Sequence, residues 1–239
     1  MEDEEVSNRI KNKILAVSDL IRLNKQYGTV LLLCPTLWSL FIASDGSPSP
    51  GLVLLFTVGA FLMRSAGCAV NDIMDMNFDR SVERTKNRPL ADGRLSVKEA
   101  AAVFVILILA SLGLAVLYLN ELARVLFIFA PLIAVIYPQA KRYVQFPQAV
   151  LGIAFGFGAL IAWADVRGSL SIVPVLIFTA NIFLVIAYDT IYALMDIDDD
   201  RKIGVRSTAI LFGNNVYSAV VLMYSLFIAF MIAAGVFAG

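Results

Sequence analysis

The chain has 239 residues, of which 59% are hydrophobic and 16% charged, with a mean hydropathy of +0.80. Soluble domains hold about 45 to 50% apolar and about 25% charged residues, so this chain carries more apolar surface than a globular core can bury, and an integral membrane protein is expected. The 19 basic and 19 acidic residues cancel and His is absent, which gives no reason to expect a nucleic-acid partner and excludes the commonest haem and transition-metal ligand and the neutral-pH proton shuttle.

The amino terminus, Met1-Glu2-Asp3-Glu4-Glu5, is acidic, the opposite of a signal peptide's basic start, so no cleavage is expected. From about residue 27 apolar runs follow one another to the last residue without a linker, which implies one domain, 1–239. A helix crosses the hydrocarbon with about 20 mostly apolar residues. Seven stretches qualify: Tyr27 to Ala43, Gly51 to Val70, Val97 to Leu119, Leu122 to Tyr137, Gln148 to Ala164, Leu170 to Leu194 and Val216 to Phe237. With the amino terminus inside, all the Lys and Arg residues except Arg64, Arg124 and Arg167 fall on the cytoplasmic side. That bias supports both the helix count and the direction. Cys34 and Cys68 lie inside apolar runs and form no CxxC pair, so they read as packing thiols rather than a disulfide or zinc site.

Two acidic rows stand at the cytoplasmic ends of spans. The first is Asn71-Asp72-Ile73-Met74-Asp75-Met76-Asn77-Phe78-Asp79. If the second span continues past Val70, the helical repeat places Asn71, Asp72, Asp75 and Asp79 within a sector of roughly 100°. The second runs from Asp189 to Asp196-Ile197-Asp198-Asp199-Asp200, where the same arithmetic groups Asp189, Asp196 and Asp200 within about 40° and turns Asp198 and Asp199 away. Crowded carboxylates repel and call for a cation; oxygen-only donors point to Mg²⁺, which shares its shell with phosphate oxygens. For a single row, a solvated helix end with salt bridges to Arg80, Arg84 or Arg201 is the plainer alternative; paired rows favour one or two Mg²⁺ ions holding a diphosphate. The basic segment Arg80 to Leu90 follows the first row, and Tyr137-Pro138-Gln139-Ala140-Lys141-Arg142 closes the fourth span on the same side. Arg88 and Lys141 are the cations expected to bind the diphosphate, with Arg84 and Arg142 beside them, because guanidinium grips phosphate bidentately and ammonium acts as a point charge.

The stretch NDIMDMNFDRSVERTKNRPL, Asn71 to Leu90, resembles the first aspartate motif of the UbiA family of intramembrane prenyltransferases, NDxxDxxxD followed by RxxxRxxNRPL. The stretch YDTIYALMDIDDDRKIGVRSTAILFG, Tyr188 to Gly213, resembles the second motif as found in the 4-hydroxybenzoate polyprenyltransferase branch, and GTVLLLCPTLWSL, LMRSAGCAVND and YPQAKRY are similar to further family segments. The resemblance implies an all-α bundle around a central cavity, open to the cytoplasmic side and to lipid, which uses Mg²⁺ to move a polyprenyl group from its diphosphate to 4-hydroxybenzoate in ubiquinone synthesis. It implies a bacterial-type inner membrane or the mitochondrial inner membrane, with the site on the cytoplasmic or matrix side. On the family pattern Asn71, Asp75 and Asp79, then Asp196 and Asp200, serve the Mg²⁺-diphosphate, with Asp72 beside them. Tyr137 and Lys141 assist its departure, and Arg22 stands at the site's edge. Naphthoate, haem or glycerol phosphate acceptors are the rival readings within the family.

The chain departs from the family in two places. Arg22-Leu23-Asn24-Lys25-Gln26-Tyr27-Gly28 stands where RLDKPIG is usual, and seven spans stand where the family has nine, so a fragment or a shortened product is expected. The acceptor's carboxylate needs a cation, for which Arg22, Arg64 and Arg142 are candidates. Arg64 lies within a span, where it either serves a substrate or pairs with a structural carboxylate or carbonyl. Asp189 orients the acceptor or serves the metal. Tyr188 and Tyr192 adjoin the second row and are candidates to face the allylic cation. Gly152 and Gly156 form a GxxxG, which reads as close helix packing. A seven-helix transporter or receptor is the alternative from another class; it predicts charges near mid-bilayer and finds none in these rows.

Overall fold

The computed structural model describes every residue except Met1 and Val205, and of Glu2, Asp3, Lys141, Asp199 and Ile203 the backbone alone. All regular structure among the described residues is helical. In chain order the helices are α1 (Glu2–Leu20), α2 (Tyr27–Ala43), α3 (Pro50–Asp79), α4 (Val97–Tyr118), α5 (Glu121–Tyr143), α6 (Pro147–Arg167), α7 (Ile172–Ala193), a 3₁₀ turn (Leu194–Asp196), α8 (Ile197–Ile203), α9 (Thr208–Phe212), a second 3₁₀ turn (Gly213–Asn215) and α10 (Val216–Ala238).

Among the described residues six helical stretches are long and apolar enough to cross a bilayer: Pro50–Asp79, Val97–Tyr118, Glu121–Ala140, Pro147–Arg167, Ile172–Asp196 and Thr208–Ala238. The remaining expected span, α2, keeps its bounds but has 17 residues with Pro35 inside. At 1.5 Å per residue it is about 25 Å long, short of about 30 Å of hydrocarbon. Among the described residues the seven expected spans are thus corrected to six and one short apolar helix. Helix α1 had no apolar run to announce it; Ala16 and Leu20 bury its inner face against Ala69, Leu90, Leu95 and Ala100.

The helix starts follow local chemistry. Ser49 caps α3 with Pro50 at the first turn, Ser96 and Glu99 form a capping box on α4, and the Asn120 side chain accepts from Ala123 N at 2.9 Å to open α5. Gly168, in the left-handed region at φ 66°, ends α6.

Helix α6 sits at the centre, packed on α2, α5 and α7, while α3 packs on α2, α4 and α5, and α10 leans on α7. Small residues permit this closeness. A Cβ at Gly152 would lie 2.8 Å from Ile182 Cα, and one at Gly156 would lie 2.7 Å from the Phe178 ring, so the GxxxG packs α6 on α7 within the chain. Ser39 on α2 donates to Ala159 O on α6 at 2.6 Å. At the end of the bundle remote from the acidic rows, the Asn120 amide donates to Ala164 O at 2.6 Å and Arg167 bridges to Asp45 at 2.6 Å. Cys34 and Cys68 are both free thiols, the second buried.

Candidate active site

Helix α3 runs unbroken to Asp79, 30 residues in all, so the first acidic row lies on a continuous helical face. The second row does not: α7 stops at Ala193, a 3₁₀ turn spans Leu194–Asp196, and Asp200 belongs to α8. The single-helix arithmetic used for that row is therefore replaced by a bent path, because three residues per turn rotate the chain differently from 3.6. Asp189, Asp196 and Asp200 nevertheless line the same cavity as Asn71, Asp72, Asp75 and Asp79, and Asp198 is exposed. The cavity encloses about 760 Å³.

Arginines interleave with the rows. Asp72 is fully buried; Arg22 Nη2 donates to its two oxygens at 2.7 and 2.9 Å, and Arg88 Nη1 to one of them at 3.1 Å. Arg88 also bridges to Asp79 at 2.8 Å. Arg22 sits in the left-handed region at φ 57°, a conformation disfavoured for a side chain with a Cβ. The corner is braced by Gln26, whose amide donates to Arg22 O at 2.9 Å and Leu23 O at 3.1 Å and whose oxygen accepts from Thr29 at 2.6 Å. Gln26 thus ties in place the turn that a proline occupies in the family pattern.

Arg84 comes from the segment after α3, donates to Asp196 at 2.9 Å through Nε and to the Tyr192 hydroxyl at 3.0 Å, and lies 4.8 Å from the Tyr192 ring centroid. Burial acts to lower the Arg84 pKa, but the hydrogen bond to Asp196 and the charges around it outweigh that, and the net direction is upward. Arg84 thereby links the first motif's loop to the second row. Among the described residues, of the bridges that the plainer alternative named, Arg84 makes one, to Asp196, and it borders the cavity that both rows line.

Tyr137, Arg142, Tyr188 and Arg64 line the cavity too. Arg142 donates to Met74 O at 2.8 Å and lies 5.1 Å from the Phe78 ring, pinning the end of α5 to α3. Arg64 donates to Cys68 Sγ. The side chain of Lys141 lies outside the described residues. Sequence reasoning missed Gln148 and Arg206. Both line the cavity; Gln148 accepts from Thr208 N at 3.2 Å, and Arg206 donates to Tyr143 O at 2.6 Å. Arg206 stands inside the second motif, where as a sequence it counts only toward the positive-inside bias, and Gln148 carries no charge to draw notice.

Among the described residues no three His, Cys, Asp or Glu side chains converge tightly enough to hold a metal by themselves. The donors are all oxygen, from Asn and Asp, on two rows around one space. On the α3 side beyond Arg64 the walls become apolar, with Leu55, Phe56, Met63, Leu119 and Phe127.

Residues 32–239 match the UbiA prenyltransferase family. A 4-hydroxybenzoate octaprenyltransferase of Colwellia psychrerythraea is 50% identical over 207 residues, 87% of this chain and 72% of the relative. Another from Polynucleobacter asymbioticus is 47% identical over 215 residues, 90% of this chain and 75% of its own. The apo structure of a UbiA homologue from Aeropyrum pernix K1 superposes with a TM-score of 0.77 at 30% identity, covering 88% of this chain and 79% of that one. A UbiA homologue from Archaeoglobus fulgidus bound to DMAPP and Mg²⁺ shares the fold, with a TM-score of 0.67 at 20% identity over 93% of this chain and 77% of that one. The bundle of apolar helices and the paired acidic rows therefore have a common explanation: the chain belongs to the UbiA prenyltransferase family and is an integral membrane enzyme.

Proposed function

We propose that the cavity transfers a polyprenyl group from a polyprenyl diphosphate to the ring carbon ortho to the hydroxyl of 4-hydroxybenzoate, the acceptor named for the relatives that are about half identical to it. The observation that carries this reading is the placement of both acidic rows and their arginines around one cavity with apolar walls beyond Arg64. Asn71, Asp75 and Asp79 on one side and Asp196 and Asp200 on the other would hold Mg²⁺, with Asp72 serving them through the arginines it binds. Mg²⁺, when bound, supplies positive charge to the diphosphate oxygens.

The chain's own groups do the rest. Arg22, Arg84 and Arg88 bind the diphosphate as negative charge grows on it, with Tyr137 and Lys141 assisting its departure. The C–O bond breaks with its electron pair on the diphosphate and leaves an allylic cation. The ring of the acceptor gives an electron pair to that carbon, and the new C–C bond forms. Loss of the ring proton to Asp189 restores aromaticity. Tyr188, Tyr192 and the apolar walls keep water from the cation. Lys and Arg concentrate at the acidic end, and the positive-inside bias supports a cytoplasmic or matrix side for that end.

The test is direct. Purified protein in lipid vesicles with Mg²⁺, a polyprenyl diphosphate and 4-hydroxybenzoate is expected to release diphosphate and form a prenylated acid. Full activity in both Asp75→Ala and Asp196→Ala would contradict the assignment.

A further inference from the structure

Arg94, between the first motif and α4, makes three side-chain hydrogen bonds at once. Its Nη1 donates to Asp19 on α1 at 2.6 Å, its Nε to Asp92 at 2.7 Å and its Nη2 to Asn87 O at 2.9 Å. Asp19 and Asn87 line the cavity, and Arg94 does not. Each of the two leads directly to an arginine of the site. Arg22 Nη1 donates to Asp19 O at 2.6 Å, and Arg88 follows Asn87 in the chain. Arg22 and Arg88 in turn meet on Asp72, at 2.7 and 3.1 Å. The contacts close a ring: Asp72 joins the two guanidinium groups at one side, and Arg94 joins the two stretches of chain that carry them at the other.

We propose that Arg94 is a positioning residue that sets the spacing of Arg22 and Arg88 for the diphosphate; the inference rests on the reading above that these two arginines bind it. Neither arginine has a regular element beneath it. Arg22 lies just past the end of α1 in the left-handed region at φ 57°, and the segment between α3 and α4 that carries Arg88 is built of turns. Asp72 alone does not fix them, because a bound diphosphate draws on the same N–H donors. A planar guanidinium holds a carboxylate and a carbonyl in a set relation, which an ammonium, a point charge, does not. The Arg94 and Asp19 side chains are 41% and 45% exposed, so their pairing adds little to folding stability. Helix α1 also stays docked without it, through buried Ala16 and Leu20 and through Lys13, which bridges to Glu99 at 2.7 Å. What Arg94 controls is the local register of the two arms.

The experiment compares wild type with Arg94→Gln, Arg94→Lys, Asp19→Asn, the double variant Arg94→Gln/Asp19→Asn, Arg88→Gln and Arg167→Gln in lipid vesicles with Mg²⁺, a polyprenyl diphosphate and 4-hydroxybenzoate. Arg167, which bridges to Asp45 at the far end of the bundle, controls for the loss of an exposed ion pair as such. Arg94→Gln is expected to raise KM for the diphosphate by roughly 3- to 10-fold, to leave KM for the acid within about twofold, and to melt within about 3 °C of wild type. Arg94→Lys recovers part of the loss, Asp19→Asn shares it, and the double variant is no worse than the more affected single one, since both substitutions cut the same tie. An unaltered KM for the diphosphate in Arg94→Gln, equal rises for both substrates, or a rise that Arg167→Gln shares would overturn the proposal. If Arg94→Gln does not fold, Asp19→Asn decides by the same comparison of the two KM values. Arg88→Gln separates the proposal from the reading beneath it: an unmoved KM for the diphosphate there refutes diphosphate binding by the arginines, whereas a rise there without one in Arg94→Gln refutes only the role of Arg94.

Discussion

Arg84, between α3 and α4, holds Asp196, 112 residues further along the chain, and lays its guanidinium 4.8 Å from the Tyr192 ring. The contact joins the loop of the first motif to the acidic row of the second across the cavity mouth. Arg84→Ala is expected to lower kcat/KM for the polyprenyl diphosphate by roughly 10- to 100-fold. Stability is expected to change by less than about 1 kcal/mol, because the side chain is partly solvated. Steady-state kinetics paired with thermal unfolding in detergent checks both halves; a large loss of stability would assign the pair to the fold instead.

Asp72 is a different case, being fully buried with two guanidinium groups on it. Removing a buried counter-ion strands the partners, so Asp72→Ala is expected to cost about 3–5 kcal/mol. Thermal unfolding of the purified variant measures this, and a melt within a degree or so of wild type would show that Arg22 and Arg88 find other partners.

Chelation of divalent metal is expected to abolish turnover and added Mg²⁺ to restore it. Asp75→Asn and Asp196→Asn are each expected to raise the Mg²⁺ concentration for half-maximal activity by at least about tenfold, since each takes an anionic oxygen from a shared shell. Titration of Mg²⁺ against initial rate reads the shift. An unmoved midpoint in both variants would place the metal elsewhere.

The contact of α6 with α7 permits a cleaner stability comparison. Gly152→Ala puts a methyl 2.8 Å from the backbone of Ile182, whereas Gly235→Ala on α10 meets nothing within 4 Å. The first is expected to destabilise by about 1–3 kcal/mol and the second to be neutral or slightly stabilising through helix propensity. Parallel melts decide it, and equal effects would mean that the helices separate without strain.

Apolar length made the spans legible: α2 begins and ends where its hydrophobic run does, and α3 continues through Asp79 as the spacing of Asn71, Asp75 and Asp79 implied. Helix α1 was not legible, because its polar residues hide a face that is buried through contact with α3, α4 and the segment between them. The residues of the rows could be named from the motifs, but the partners of their charges could not. Whether Asp72 meets Arg22, or Arg84 meets Asp196, depends on how distant segments approach. The break at Leu194–Asp196 was equally hidden, since nothing in that short run interrupts a helix by composition.

The ties that Asn120 makes to Ala164 and Arg167 to Asp45 pin the far end of the bundle, as the arginine pairs pin the acidic rim. The apolar lengths between the two are the stretch least fastened, so admission of a long lipid and discharge of its product call for helices to part at mid-depth rather than at either end.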